Sequence, residues 1–369
     1  MTRIKTFYLI DFIRCCAALC VVVFHYKNFF KNDFTARLNG SSWTDLILFR
    51  HLDWIIAKGS LAVMLFWVIS GFVFAHVYLS DRSRKVDPKS YAVNRFSRLY
   101  PLHLLTLLYI AVLQSVATRY FGEPFIYGNN DAYHFALNLA FASNWGFESG
   151  LSFNGPIWSV SIEVVIYVVF IVLLVLGGPG WQISLVACFA FLGLMAVSNH
   201  LILVCGAHFY FGCLAYAVFR YTLRLTRCRQ LAMALLCVAA GIAPMMMAWK
   251  LGLNVPLTLQ LAPLFSGLLI LVGLFEATQG DRFRFLKPVG DITYSTYLLH
   301  SPLQMSILMV GSFGVFAPDL LVTNVFAFGY FALLIAISRW AYIKIECPAQ
   351  NAIRRYQSRL TRARGSETL

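Results

Sequence analysis

The chain carries too little charge to cover a water-soluble surface. Asp, Glu, Lys and Arg make up 12% of its 369 residues, about half the share of an ordinary globular protein. Strict apolar–polar alternation in segments of about ten residues is missing, which argues against an outer-membrane barrel. None of the nine cysteines forms a CxxC pair. Cys15, Cys16, Cys20, Cys188, Cys205, Cys213 and Cys237 lie in apolar runs, and Cys228 and Cys347 lie beside basic loops. They read as small hydrophobes, so neither disulfides nor a metal site is expected. No internal repeat stands out, although inverted repeats mark many secondary transporters. The first apolar run lacks a small-residue cleavage site, so it is expected to stay as a span.

What is present is hydrophobicity, at 59% of residues, in runs of about 20. That length crosses roughly 30 Å of hydrocarbon as helix. The expectation is an all-α, polytopic membrane helix bundle. Its ten spans fall near 7–29, 60–80, 100–120, 157–176, 181–199, 201–219, 230–249, 258–276, 289–311 and 320–342. The fifth and sixth, split only by His200, read as a tight hairpin or one irregular unit. Residues 132–142 are too short to span and read as re-entrant or interfacial. With the N-terminus in the cytoplasm, 21 of the 30 Lys and Arg residues fall on that side. They lie in 1–6, 81–98, 220–229, 277–288 and 343–369, as the positive-inside rule requires. Ten spans then return the C-terminus to the cytoplasm. The net charge of +14 is a topology signal, and nucleic acid is not an expected partner. Residues 1–350 read as one membrane domain. Residues 351–369 read as a basic cytoplasmic tail suited to anionic headgroups. Asn39-Gly40-Ser41 matches a glycosylation acceptor, a frequent pattern of little weight.

Three ionisable residues interrupt the first span: Asp11, Arg14 and His25. Such residues are costly in a bilayer and usually face protein or a wet cavity. Arg14 and His25 are 11 residues apart, so they share a helix face about 16 Å apart along the axis. A structural Asp11–Arg14 pair with a hydrogen-bonded histidine, and a proton-transferring histidine, both fit. In "NGPIWSVSIEVVIY" (154–167), Pro156 suits a first helical turn with Asn154 or Gly155 as cap. Ser159, Glu163 and Tyr167 then form one stripe. Glu163 falls at a depth similar to that of His25. A base–orienter pair and a structural bridge stay open for it.

Thr293, Thr296 or Tyr297, and His300 share a face further on, as a ligand path or as interhelical hydrogen bonds. Arg95 and Arg98 point one way at the mouth of the third span. Arginine forks suit phosphate, and arginines there are also ordinary membrane anchors. Ser70-Gly71 permits close helix approach, with Trp67 and Phe74 as core.

Together these stretches resemble the acyltransferase 3 family, bacterial membrane enzymes that O-acylate cell-surface and exported glycans. The matches run in the family's order over about residues 7–350. They are Asp11, Arg14 and His25; Ser70-Gly71-Phe72; an Arg95-x-x-Arg98-x-x-Pro101 turn; Trp158-Ser159-x-x-x-Glu163 with Tyr167; Tyr297-Leu298-x-His300; and Glu346-x-Pro348. Phe12 stands where a glycine is usual, and Val164 where a second acidic residue is frequent. The resemblance implies a multi-pass protein of the bacterial cytoplasmic (inner) membrane. It implies cytoplasmic acyl-CoA, usually acetyl-CoA, as co-substrate with no resident cofactor, and a glycan or lipid-linked glycan as acceptor. His25 supported by Glu163 would be catalytic. Arg14, Arg95 and Arg98 would contact the CoA, and Asp11, Trp158, Ser159, Tyr167, Tyr297 and His300 would line the substrate path. The competing readings are a transporter or flippase for a lipid-linked glycan, and a non-catalytic partner in glycan assembly.

Overall fold

A computed structural model describes residues 6–30, 33–36, 38, 46–50, 52–80, 86–252 and 255–366. The helices run in the order α1 (Tyr8–His25), α2 (Asp33–Ala36), α3 (Ile47–Arg50), α4 (Asp53–Lys58), α5 (Ala62–Tyr78) and α6 (Pro88–Phe121). There follow α7 (Ala132–Leu139), α8 (Trp158–Gly177), α9 (Trp181–Met195), α10 (Leu201–Thr222) and α11 (Arg227–Lys250). The chain ends with α12 (Leu257–Gln279), α13 (Lys287–Asp291), α14 (Thr293–Ser312), α15 (Asn324–Ala341) and α16 (Cys347–Ser366). No strand occurs among the described residues.

Each of the ten expected spans has a helix. Among the described residues, eight stretches are long and apolar enough to cross a membrane, and one of them, Leu257–Ser312, holds both α12 and α14. α9, at 15 residues, falls short of that length. The protein is a multi-pass helical membrane protein.

Several boundaries differ from expectation. The third span begins at Pro88, because Asp87 caps α6 by accepting from the Lys89 and Ser90 amides at 3.2 and 3.0 Å. The helix is 34 residues long, so Arg95, Arg98 and Pro101 lie inside it and form no turn. Residues 181–219 form a hairpin. His200 ends its link, with its ring nitrogen accepting from the Ile202 amide at 3.2 Å to cap α10. Residues 132–142 hold only the eight-residue α7. The Asn39 acceptor and the basic residues Arg3, Lys5, Lys31, Arg37, Arg82, Arg84 and Lys85 lie outside the described residues.

The chain divides into two compact units. The first comprises Met1–Ala17, Leu61–Val86 and Ile162–Asp291. In it α5 and α10 touch backbone to backbone. A Cβ on Gly71 would lie 1.7 Å from the Phe209 carbonyl oxygen, and one on Gly212 2.0 Å from that of Val68. Trp67 and Phe74 are buried in this core, as expected. The second unit comprises Ala18–Ser60, Asp87–Ser161 and Ile292–Leu369. Its core gathers Tyr26, Phe29 and Phe49 with Leu308 of α14 and Tyr330 of α15.

Candidate active site

α1 ends at His25, and its ring meets α14. His25 Nδ1 lies 2.9 Å from His300 Nε2, with the rings nearly parallel at 11°. His300 Nδ1 lies 2.6 Å from the Tyr297 carbonyl oxygen. A carbonyl only accepts, so Nδ1 of His300 holds the proton, and Nε2 of the neutral ring holds the lone pair. His25 must then donate from Nδ1, which puts its own lone pair on Nε2. This is the tautomer of a general base with an orienting group behind it. One turn along α14, Gln304 Nε2 donates to the His25 carbonyl at 2.9 Å. The helix runs on from there as a 3-10 segment, Tyr26–Phe30, and the glutamine adds a side-chain donor to the carbonyl at the junction. His300 and Gln304, both fully buried, thus hold the side chain and the backbone of His25.

α14 is itself positioned by a defect. Pro302 lies inside it and has no N–H, so the Leu298 carbonyl four residues back loses its helical partner. Asn154 Nδ2 donates to that carbonyl at 3.0 Å. Asn154 is therefore not the cap of α8. The chain enters that helix through a 3-10 turn, Gly155–Ile157, without a side-chain cap. Gly155 is required there, since a Cβ would lie 2.2 Å from the Tyr127 ring. The Tyr297 hydroxyl donates to the Pro156 carbonyl at 2.9 Å. Its oxygen lies 2.7 Å from Ser159 Oγ. With its proton committed to a carbonyl, Tyr297 accepts from Ser159. Ser159 and Tyr297 thus meet, and Trp158 stands half-buried beside them. Thr293 and Thr296 are buried on α14.

In the first unit, Asp11 and Arg14 form an ion pair at 3.0 Å. A Cβ on Gly290 would come within 2.7 Å of Asp11 Cβ, so Asp11 also packs against the backbone at α13. Buried Glu276 accepts from the Tyr8 and Leu9 amides, capping α1 from another helix. Tyr167 places its hydroxyl 3.3 Å from Ser70 Oγ and stacks on Phe74 at 4.6 Å. Glu163 is half-buried on α8. Ser159, Glu163 and Tyr167 lie on one continuous helix, α8, at the expected spacing, with Ser159 in the second unit and the other two in the first.

Arg95 and Arg98 are half-buried on α6 and flank fully buried Ser97. Arg354 Nε of α16 donates to Ser97 Oγ at 3.3 Å, and Gln357 Nε2 to Ser90 Oγ at 3.1 Å. Residues of the basic C-terminal stretch therefore run as a helix along α6. Ahead of α16, a π-helical segment (Tyr342–Glu346) carries buried Glu346, which accepts from Ser295 Oγ at 2.8 Å. Gln304, Glu276 and the tie from Asn154 to α14 were not anticipated. The i, i+4 spacing of His300 and Gln304 is the one local signal that pointed to Gln304.

A family model described as an acyltransferase domain matches residues 7–343. The chain belongs to this acyltransferase family. It is also similar to "Acyltransferase MdmB" of Streptomyces mycarofaciens, with 33% identity over 31% of this chain and 28% of that protein. A second relative, "Protein 2 in picA locus" of Rhizobium radiobacter, is 34% identical over 29% of this chain and 45% of its own length. The matched stretches thus span less than half of either relative. No solved structure matches.

Proposed function

We propose that this protein is an integral-membrane O-acyltransferase of the bacterial inner membrane. It moves an acyl group, most simply acetyl, from cytoplasmic acyl-CoA to a hydroxyl of a surface or exported glycan. The observation that carries this reading is the relay Tyr297 carbonyl–His300–His25, which leaves a basic nitrogen on His25 Nε2. That nitrogen takes the proton of the acceptor hydroxyl as its oxygen attacks the thioester carbon. The carbon–sulfur bond then breaks, and the imidazolium returns the proton to the CoA thiolate. His25 carries the positive charge as imidazolium at the junction of α1 with the Tyr26–Phe30 3-10 segment. The family resemblance supports assigning Glu163 as partner of the base and Arg14, Arg95 and Arg98 as holders of the donor phosphates. Membrane lipids surround the bundle, and both termini face the cytoplasm.

The test is transfer of labelled acetyl from acetyl-CoA to glycan in membrane vesicles. A general base contributes roughly 10²–10⁴-fold, so His25→Ala should lose activity on that scale while inserting normally. Unchanged transfer by correctly inserted His25→Ala protein would overturn the assignment.

A further inference from the structure

The second unit contains a cavity of about 540 Å³ that the chemistry above does not use. This is within the range of small-molecule sites, roughly 300–1,000 Å³. Two pairs of phenylalanines build its walls. Phe34 and Phe316 meet edge to face at 5.7 Å, and Phe121 and Phe125 stack at 5.5 Å. Glycine at 311 makes room for the first pair, because a Cβ there would lie 2.5 Å from Phe34 and 2.9 Å from Phe316. Between the rings the lining is polar, with Glu123, Asp319 and Ser312. Both carboxylates belong to exposed residues, so they are solvated and available as acceptors.

We infer that this cavity is a carbohydrate subsite that holds sugar units of the acceptor chain at a distance from the unit being acylated. Two carboxylates accept from ligand hydroxyls, and phenyl faces cover the C–H faces of a pyranose. An alkyl chain would make no use of the two carboxylates, and a metal ion would not use the four rings. Position sets the rest. The cavity lies at the Phe121 end of α6, 23 residues or about 35 Å from Arg98, roughly a bilayer thickness. On α14, Gly311 lies 11 residues, about 16 Å, beyond His300. A sugar in the cavity cannot offer its own hydroxyl to His25. A chain of several units can occupy both places.

The inference rests on the glycan-acylation reading and predicts a dependence on acceptor length. Oligosaccharides of one to six units, prepared by partial hydrolysis of base-deacylated surface polysaccharide from the producing cells, serve as the probe. With full-length protein in vesicles, the acceptor KM should fall at least fivefold once the chain is long enough to reach the cavity. Glu123→Gln and Asp319→Asn should raise the KM for long acceptors at least fivefold, with no comparable rise for the monosaccharide or the donor. Phe121→Ala should act in the same direction. Equal KM values at all lengths, or equal loss for short and long acceptors, would overturn the inference. So would an effect abolished by a metal chelator. If no acceptor takes up label, the acylation reading fails, and retention of the longest oligosaccharide by purified protein then decides alone. Retention weakened at least fivefold by both carboxylate variants upholds the subsite, and retention unaltered by them refutes it.

Discussion

The two compact units lean on different devices, though neither is exclusive: Glu276 also accepts from backbone amides in the first, and Gly59 also meets backbone in the second. In the first, helices approach through missing side chains: Gly71 meets the Phe209 carbonyl and Gly212 the Val68 carbonyl. Gly241 and Gly267 do the same between α11 and α12. In the second, side chains reach across to backbone groups. Gln304 bonds the His25 carbonyl, Asn154 that of Leu298, Tyr297 that of Pro156, and Tyr26 that of Leu321. Lipid gives little hydrophobic drive for helices to associate, so small residues and polar contacts are the available devices. Glycine contacts fix distance. Hydrogen bonds also fix orientation, which a histidine relay needs. The contacts that orient His25 are hydrogen bonds of the second unit.

The largest effect expected from this contrast is at Gly71. Any side chain there collides with backbone, which has no alternative rotamer. Overpacking usually costs about 1–3 kcal/mol and occasionally more, and this site belongs at the upper end. Gly71→Ala should sharply reduce folded yield and thermal stability in detergent. Gly329→Ala, with nothing within 4 Å, should melt like the parent. A normally folded Gly71→Ala protein would break the first half of the comparison.

His300 tests the second half. His300→Ala should fold and insert, since the change removes one ring from a bundle with many other contacts. It should lose about 30- to 100-fold in kcat, equivalent to about 2–3 kcal/mol. His300→Gln should recover part of that, because its amide oxygen can accept from His25 Nδ1–H. Equal rates for the two variants would deny the relay an orienting role.

Asn154 gives a smaller and more diagnostic effect. Asn154→Ala orphans the Leu298 carbonyl and should cost about 1–3 kcal/mol. Pro302→Ala restores the amide that the carbonyl lacks, so the loss should be much smaller in that background. Thermal melts of the four proteins in a double-mutant cycle measure the coupling. Additive losses would show that Asn154 does not serve that carbonyl.

These tests also mark what was legible in advance. Hydropathy located a helix for every expected span, and Ser70-Gly71 announced a close approach. Spacing put Ser159 on a polar stripe of its helix and left Thr296 or Tyr297 on the face of His300. It could not join His25 to His300, which are 275 residues apart in the chain, because periodicity relates residues only within one helix. Asn154 misled for a physical reason. An Asn just ahead of a Pro is a good helix-capping pattern, and the competing demand came from a proline on α14. The cavity lined by Phe34, Phe121 and Phe316 has no local signature, since its walls come from three separate chain segments.

The smallest effect separates the units by pH. Asp131 caps α7, accepting from the His134 amide and from His134 Nδ1, each at 2.8 Å. The backbone bond from His134, and then its side-chain bond, hold the Asp131 carboxyl below its ordinary value. His134 Nε2 in turn accepts from the Ser149 amide at 3.1 Å, a bond that only the neutral imidazole can make. A carboxyl with a lowered folded pKa stabilises above its unfolded pKa and loses that contribution as pH falls through the folded one. With an ordinary Asp near 3.9, amide exchange across α7, which Asp131 caps, should rise as pH drops below about 4. The baseline is the intrinsic acid dependence of exchange. Asp131→Ala should show raised exchange at neutral pH, whereas Asp131→Asn, which keeps an accepting oxygen, should show less. At the α5–α10 glycines the titratable group is the Cys213 thiol, which donates to the Gly71 carbonyl at 3.3 Å; a thiol is already protonated in acid, so this contact should stay flat over the same range. Parallel acid loosening of both regions would mean that the two units share one mode of stabilisation after all.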